Sequence, residues 1–153
     1  MGNVSHEQAN LMLKIYELRR EPRLRQARAW FVSSFSAGSL EEMMQKFPPF
    51  SEEGTNVRMI SSYWEMCAGL SNRGLIDDDL FFENNPEVWV VWEKLKAIVP
   101  GLRAMFGNPT AFEHLEKCAK RLDAWREKKA PGCNDKMRQM FAQMAQMRAQ
   151  AAK

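Results

Sequence analysis

The sequence predicts an all-α single domain, a bundle of six to eight helices, several of them short and punctuated by proline or glycine. Three observations carry this reading. Apolar residues recur at three- and four-residue spacing along most of the chain. Cap residues stand just ahead of these stretches, and glycine or proline just behind them. No credible β-hairpin and no internal repeat breaks the pattern.

The elements follow in order. Ser5 and Gln8 make a capping box for a first helix over Ser5 to Arg20, with Leu11, Ile15 and Leu18 on one face and Met12 and Tyr16 beside them. Pro22 ends it or sits in the first turn of the next, a second helix over about Arg23 to Phe35, whose stripe is Leu24, Ala27 and Phe31 with Trp30 and Phe35 extending it. Ser39 and Glu42 form another box, opening a short helix that Pro48-Pro49 stops, because proline cannot donate and restricts its predecessor. Phe50 to Gly54 reads as a loop. A fourth helix is expected from Thr55 or Asn56, with Val57, Ile60, Trp64, Cys67 and Ala68 inward and Gly74 in a left-handed position after its end.

Asp77 caps a short helix with Asp78 and Asp79 in its first turn, where negative charge is favoured. Asn85-Pro86-Glu87 repeats the start signal for a helix with Val88, Trp89, Trp92, Leu95 and Val99 on its buried face. Val90 and Val91 suit a strand, but the caps and the following Glu93-Lys94-Leu95-Lys96 favour helix. Pro100-Gly101 kinks or ends it, and Leu102 to Phe106 adds a further turn or two. Thr110 and Glu113 make a box for a helix from Ala111 to about Lys128, with Phe112, Leu115, Ala119, Leu122 and Trp125 as its stripe. After Ala130-Pro131-Gly132, Asn134 caps a last helix to about Ala151. The core is expected around Trp64, Trp89, Trp92, Phe112, Leu115 and Trp125. Residues 1–130 form the helical domain, and residues 131–153 a methionine-rich amphipathic helix that either docks on it or faces a partner.

Composition excludes several classes. With 45% hydrophobic and 27% charged residues the chain is not of the disordered type. A net charge of +3 over 153 residues is mild, so a polyanion-binding role does not follow from charge alone. Three dispersed cysteines, Cys67, Cys118 and Cys133, argue for reduced thiols and a cytoplasmic protein. No apolar run is long enough for a transmembrane segment. Met1 to His6 lacks the regions of a signal peptide, and His6 stands where the myristoylation pattern wants Ser or Thr.

One stretch carries a resemblance. An aromatic-rich helix ending in Arg73-Gly74-Leu75-Ile76-Asp77, a helix with Trp89, then Arg103, and a helix with Phe112-x-x-Leu115 lie between about Asn56 and Leu122. Together they resemble a family of uncharacterised bacterial all-helical domains. Members of that family often follow one or two membrane helices. The resemblance implies a helical fold and brings no activity with it.

Four groups of residues are candidates for function. Met137, Met140, Met144 and Met147, spaced three, four, three with Phe141 beside them, form a seam suited to self-association or to a protein partner, since methionine re-packs readily. The same seam suits packing on the chain's own domain. Arg19, Arg20, Arg23, Arg25 and Arg28 surround the first helix junction and could grip the phosphates of nucleic acid or anionic lipid. The more ordinary reading is two solvated helix faces offset by Glu17 and Glu21. Asp77-Asp78-Asp79 with Glu83 has the oxygen donors a divalent cation needs but not the alternation of a calcium loop, so capping is the expected role and no metal is implied. Nothing in the spacing joins His114 to Cys67 or to Glu65 as a catalytic pair. No nucleophile-elbow, phosphate-loop, dinucleotide or zinc-protease motif is present, so no cofactor is implied. The reading is an interaction protein presenting its methionine seam, with anion binding at the arginine junction as the alternative.

Overall fold

A computed structural model describes residues 3–153. Met1 and Gly2, where the myristoylation pattern begins, lie outside the described residues. Nine helices and no strand are present among them: α1 (His6–Arg19), α2 (Pro22–Ser34), α3 (Leu40–Lys46), α4 (Glu52–Asn72), α5 (Asp78–Asn84), α6 (Glu87–Leu95), α7 (Val99–Phe106), α8 (Glu113–Lys129) and α9 (Cys133–Ala151). The expected six to eight helices fall short by one. Pro100 does not end α6; it sits in the first turn of α7, where its missing N–H costs nothing, and Gly107 closes that helix at φ +59°. What reads as a tail of α6 is a helix of its own.

The 21-residue α4 is the axis of the bundle. It packs on α2, on α8 and on α6; α6 also packs on α8, α8 on α9, and α3 on α7. Its buried residues include Val57, Ile60, Trp64, Cys67 and Ala68, at the spacing that lines one side of a helix. The core continues through Phe31, Phe35, Phe81, Trp89, Leu95, Leu115 and Leu122, all at most 1% exposed. Burying each such phenylalanine or leucine contributes about 1.5–3 kcal/mol. Trp92 is buried, whereas Phe112, Trp125 and Trp30 are half-buried and pack on the core from outside. On α1 the buried side is Met12 and Ile15, while Tyr16 and Leu18 face outward.

Side-chain caps mark the starts of α1, α3, α4 and α5. Ser5, Ser39 and Asp77 accept the backbone N–H three residues on, as their sequence positions suggest. Ser51 does the same for Gly54, so α4 starts a turn earlier than expected. The start is concealed in sequence because a glycine stands where a capping box would carry Glu. That glycine is required: a Cβ on Gly54 would lie 2.2 Å from the Pro48 carbonyl oxygen.

Three expected caps do not form. Asn85 turns inward, accepting from Arg19 and donating to the Phe81 carbonyl, and α6 starts without a side-chain cap. Asn134 is likewise buried and belongs to the α8–α9 contact. Thr110 bonds to Asn108 instead of opening α8. No described helix is long and apolar enough to cross a membrane.

Candidate functional site

The first candidate surface lies on α9. Its first half is clamped around Trp89. The Trp89 indole N–H donates to Asp123 Oδ2 at 2.9 Å, and the guanidinium groups of Arg126 and Arg138 lie 4.9 and 5.3 Å from its ring centre. Arg138 also bonds Glu93 and Asp123; Glu93 above all, with Asp123, holds the guanidinium still more firmly in its charged form. Asn134 donates to the Asp123 carbonyl at 2.8 Å and accepts from Arg126 at 3.0 Å. Met137 and Phe141 rest on the core, Phe141 with its ring 6.1 Å from Trp89.

Beyond this clamp the helix changes character. Every residue from Ala142 to Lys153 is exposed. The methionine seam is therefore divided: Met137 and Phe141 face inward, while Met140, Met144 and Met147 are 49%, 43% and 68% exposed. Between Gln139 and Ala152 the only charged residue is Arg148.

The five arginines of the first junction are likewise divided. Arg28 makes a two-pronged ion pair with Glu87 at 2.7 and 2.8 Å, and Glu87 also accepts the Trp64 indole N–H at 3.0 Å. Arg19 donates to Asn85 Oδ1 at 2.9 Å and lies over the Tyr16 and Trp64 rings. Arg23 donates to Asn56 Oδ1 at 2.7 Å. Arg20 and Arg25 are exposed. Of the five, only Arg28 has a carboxylate partner among the described residues.

The acidic group is spent on structure. Asp77 Oδ1 accepts the Leu80 N–H, Asp78 pairs with Arg121, and Asp79 accepts from Trp125 and Lys129. The Trp125 and Lys129 bonds hold the Asp79 carboxyl below its ordinary range. Glu83 stands 3.8 Å from Lys129.

Glu65 and His114 do meet, through the backbone. The Glu65 carboxylate accepts the N–H of His114 at 3.2 Å and of Leu115 at 2.7 Å, capping α8 from 49 and 50 residues away. Cys67 and Cys118 are buried, and burial pushes both thiols up to about 11, away from nucleophilic use near neutral pH. Cys133 is half-buried.

A last feature had no signal in the sequence. An apolar cavity of about 260 Å³ lies among α3, α4, α6 and α7, walled by Met43, Val57, Leu95, Ile98, Leu102 and Phe112. Arg58 and Ser61 are its polar lining. Its walls come from four separated stretches, so no local pattern announces it.

A family model described as a domain of unknown function (DUF4760) matches residues 5–122. The chain belongs to that family. The DUF4760 span takes in α1 to α7 and α8 as far as Leu122, well beyond the Asn56–Leu122 stretch that carries the sequence resemblance. Within it, Arg103 ties α7 to the start of α8, donating to the Ala111 carbonyl at 3.0 Å and to Glu116 at 2.8 Å. Gly74 takes its left-handed turn at φ +73° after α4. The arginine junction and the apolar cavity lie inside the DUF4760 span, and the methionine helix lies outside it. No curated protein and no solved structure matches the chain.

Proposed function

We propose that this DUF4760 chain is an interaction protein that pairs with a second copy of itself through the methionine face of α9. The exposed row Met140, Met144 and Met147 carries the reading. These side chains stand next to Met137 and Phe141 on a helix whose first half is already fixed, so association need not order a free helix first. Of the flanking Gln139, Gln143, Gln146, Arg148 and Gln150 only Arg148 is charged, so little like charge is set against itself when two copies meet. Methionine adapts to an identical surface without demanding one rotamer.

Light scattering after size exclusion on the full chain, over a range of concentrations, tests this. A dimer is expected, and the double variant Met140→Glu with Met144→Glu is expected to be a folded monomer. A monomer at every concentration, or a folded double variant that keeps its dimer, refutes the proposal.

The second reading is anion binding at the arginine junction. It is favoured by Arg19, Arg20, Arg23 and Arg25 having no carboxylate partner among the described residues. This surface would take nucleic acid or acidic lipid with an affinity that falls steeply with salt. Titration with a fluorescent oligonucleotide or anionic vesicles at low and at physiological salt checks it. Absence of binding at low salt rejects it.

A further inference from the structure

We infer that the cavity between α3, α4, α6 and α7 binds a medium-chain carboxylate, with its alkyl chain inside and its carboxylate on Arg58. The cavity is apolar except on one side, and that side is a single face of α4, where Arg58 and Ser61 stand three residues apart. Arg58 is the informative residue. Its guanidinium donates to the Pro49 carbonyl and to Thr55 Oγ1 at 3.0 Å, both neutral acceptors, and it has no ion pair among the described residues. A guanidinium carries five N–H donors, so donors remain for an anion, and a planar carboxylate matches their fork. Ser61 is 4% exposed and gives its hydroxyl hydrogen to the Arg58 carbonyl at 3.3 Å, which leaves its oxygen free to accept.

Close packing of α3 on α7 fixes the distance between two of the walls. A Cβ on Gly101 would lie 2.9 Å from Leu40 Cβ, so α3 and α7 are already in closest approach. Phe112 is the only non-glycine residue with positive φ among the described residues, at +58°, and its side chain forms part of the wall. Such a conformation costs of order 1–3 kcal/mol and persists where the surroundings impose it. At the mouth, Met105 and Phe106 are 51% and 70% exposed, apolar surface that an entering chain would cover.

Size sets the chain length. A water molecule's share of liquid volume is about 30 Å³, a methylene takes roughly as much, and the space therefore holds about eight to ten carbons.

Isothermal calorimetry of the full chain with decanoate, 1-decanol and acetate tests the inference. Decanoate is expected to bind at one site, 1-decanol more weakly, and acetate not at all. Arg58→Gln, at an exposed position, is expected to weaken decanoate at least about tenfold and to leave 1-decanol within about twofold. Leu102→Trp fills the cavity and is expected to abolish both; should it fail to fold, Met105→Trp at the half-exposed mouth makes the same test. No decanoate binding by the native chain overturns the inference, as does an equal loss of both probes in Arg58→Gln. Undiminished binding in a folded cavity-filling variant overturns it too.

Discussion

Glu65 offers the sharpest test of how this bundle is held. The first turn of α8 has no cap of its own: Phe112 precedes it in a left-handed conformation and contributes no side-chain bond. The Glu65 carboxylate supplies both missing acceptors, for His114 and Leu115. Hydrogen bonds to a charged group contribute about 1.5–3 kcal/mol each, and a negative charge at a partly buried helix start adds up to ~2 kcal/mol. Glu65 is half-buried, so water competes and the lower end applies. Glu65→Ala is expected to lose about 3 kcal/mol. Glu65→Gln keeps an acceptor but not the charge and is expected to lose about 1–2 kcal/mol. For a chain of this length 1 kcal/mol shifts Tm by about 2–4 °C, so the alanine variant melts roughly 6–12 °C lower. Urea unfolding followed by circular dichroism measures both. An alanine variant within 0.5 kcal/mol of the parent would refute the view that α8 depends on this remote cap.

Other consequences follow from burial and close approach. The Cys67 and Cys118 thiols sit at about 11 when folded against an ordinary 9.0. The unfolded chain thus ionises first, and stability present below pH 9 falls as pH rises through about 11, by about 2–3 kcal/mol per thiol. Urea unfolding from pH 8 to 11 should show this slope flattened in the Cys67→Ala, Cys118→Ala double variant; an unchanged slope counts against it. Gly54→Ala drives a Cβ into the Pro48 carbonyl and is expected to cost about 2–3 kcal/mol, read by thermal melting. Glu87→Ala leaves Arg28 and the Trp64 indole N–H without their acceptor and is expected to cost about 3 kcal/mol, with Glu87→Gln milder because it still accepts the indole. Equal stability of the two Glu87 variants would contradict that order.

What the sequence discloses here is what neighbours along the chain decide. Ser5, Ser39 and Asp77 cap residues three positions away, and the stripe from Val57 to Ala68 repeats within one helix, so both are legible. Asn85 and Asn134 have the same cap chemistry, yet Arg19 and Arg126 claim their side chains from other helices. A local rule cannot weigh a donor that arrives from 66 residues away. The methionine spacing is visible in the chain, but which methionines face inward depends on Trp89 and its arginines. The cavity is the extreme case, because Arg58 reads as an ordinary helix-surface arginine, and the Leu40, Ile98 and Phe112 that line the cavity beside it come from other stretches of the chain.

The remote caps bear on how the chain folds. Glu65 completes α8, Gln8 accepts the Asp77 N–H ahead of α5, and Lys94 donates to the Phe35 carbonyl at the end of α2. A helix finished by a distant residue cannot settle its ends while it is isolated, when starting a turn is already unfavourable. Its terminal amides, usually the first to fray, become tied to the whole bundle. Hydrogen exchange at His114 and Leu115 should then proceed only through global unfolding, at the pace of the core rather than of a helix end. The bundle would melt as one cooperative unit, its helix boundaries set last.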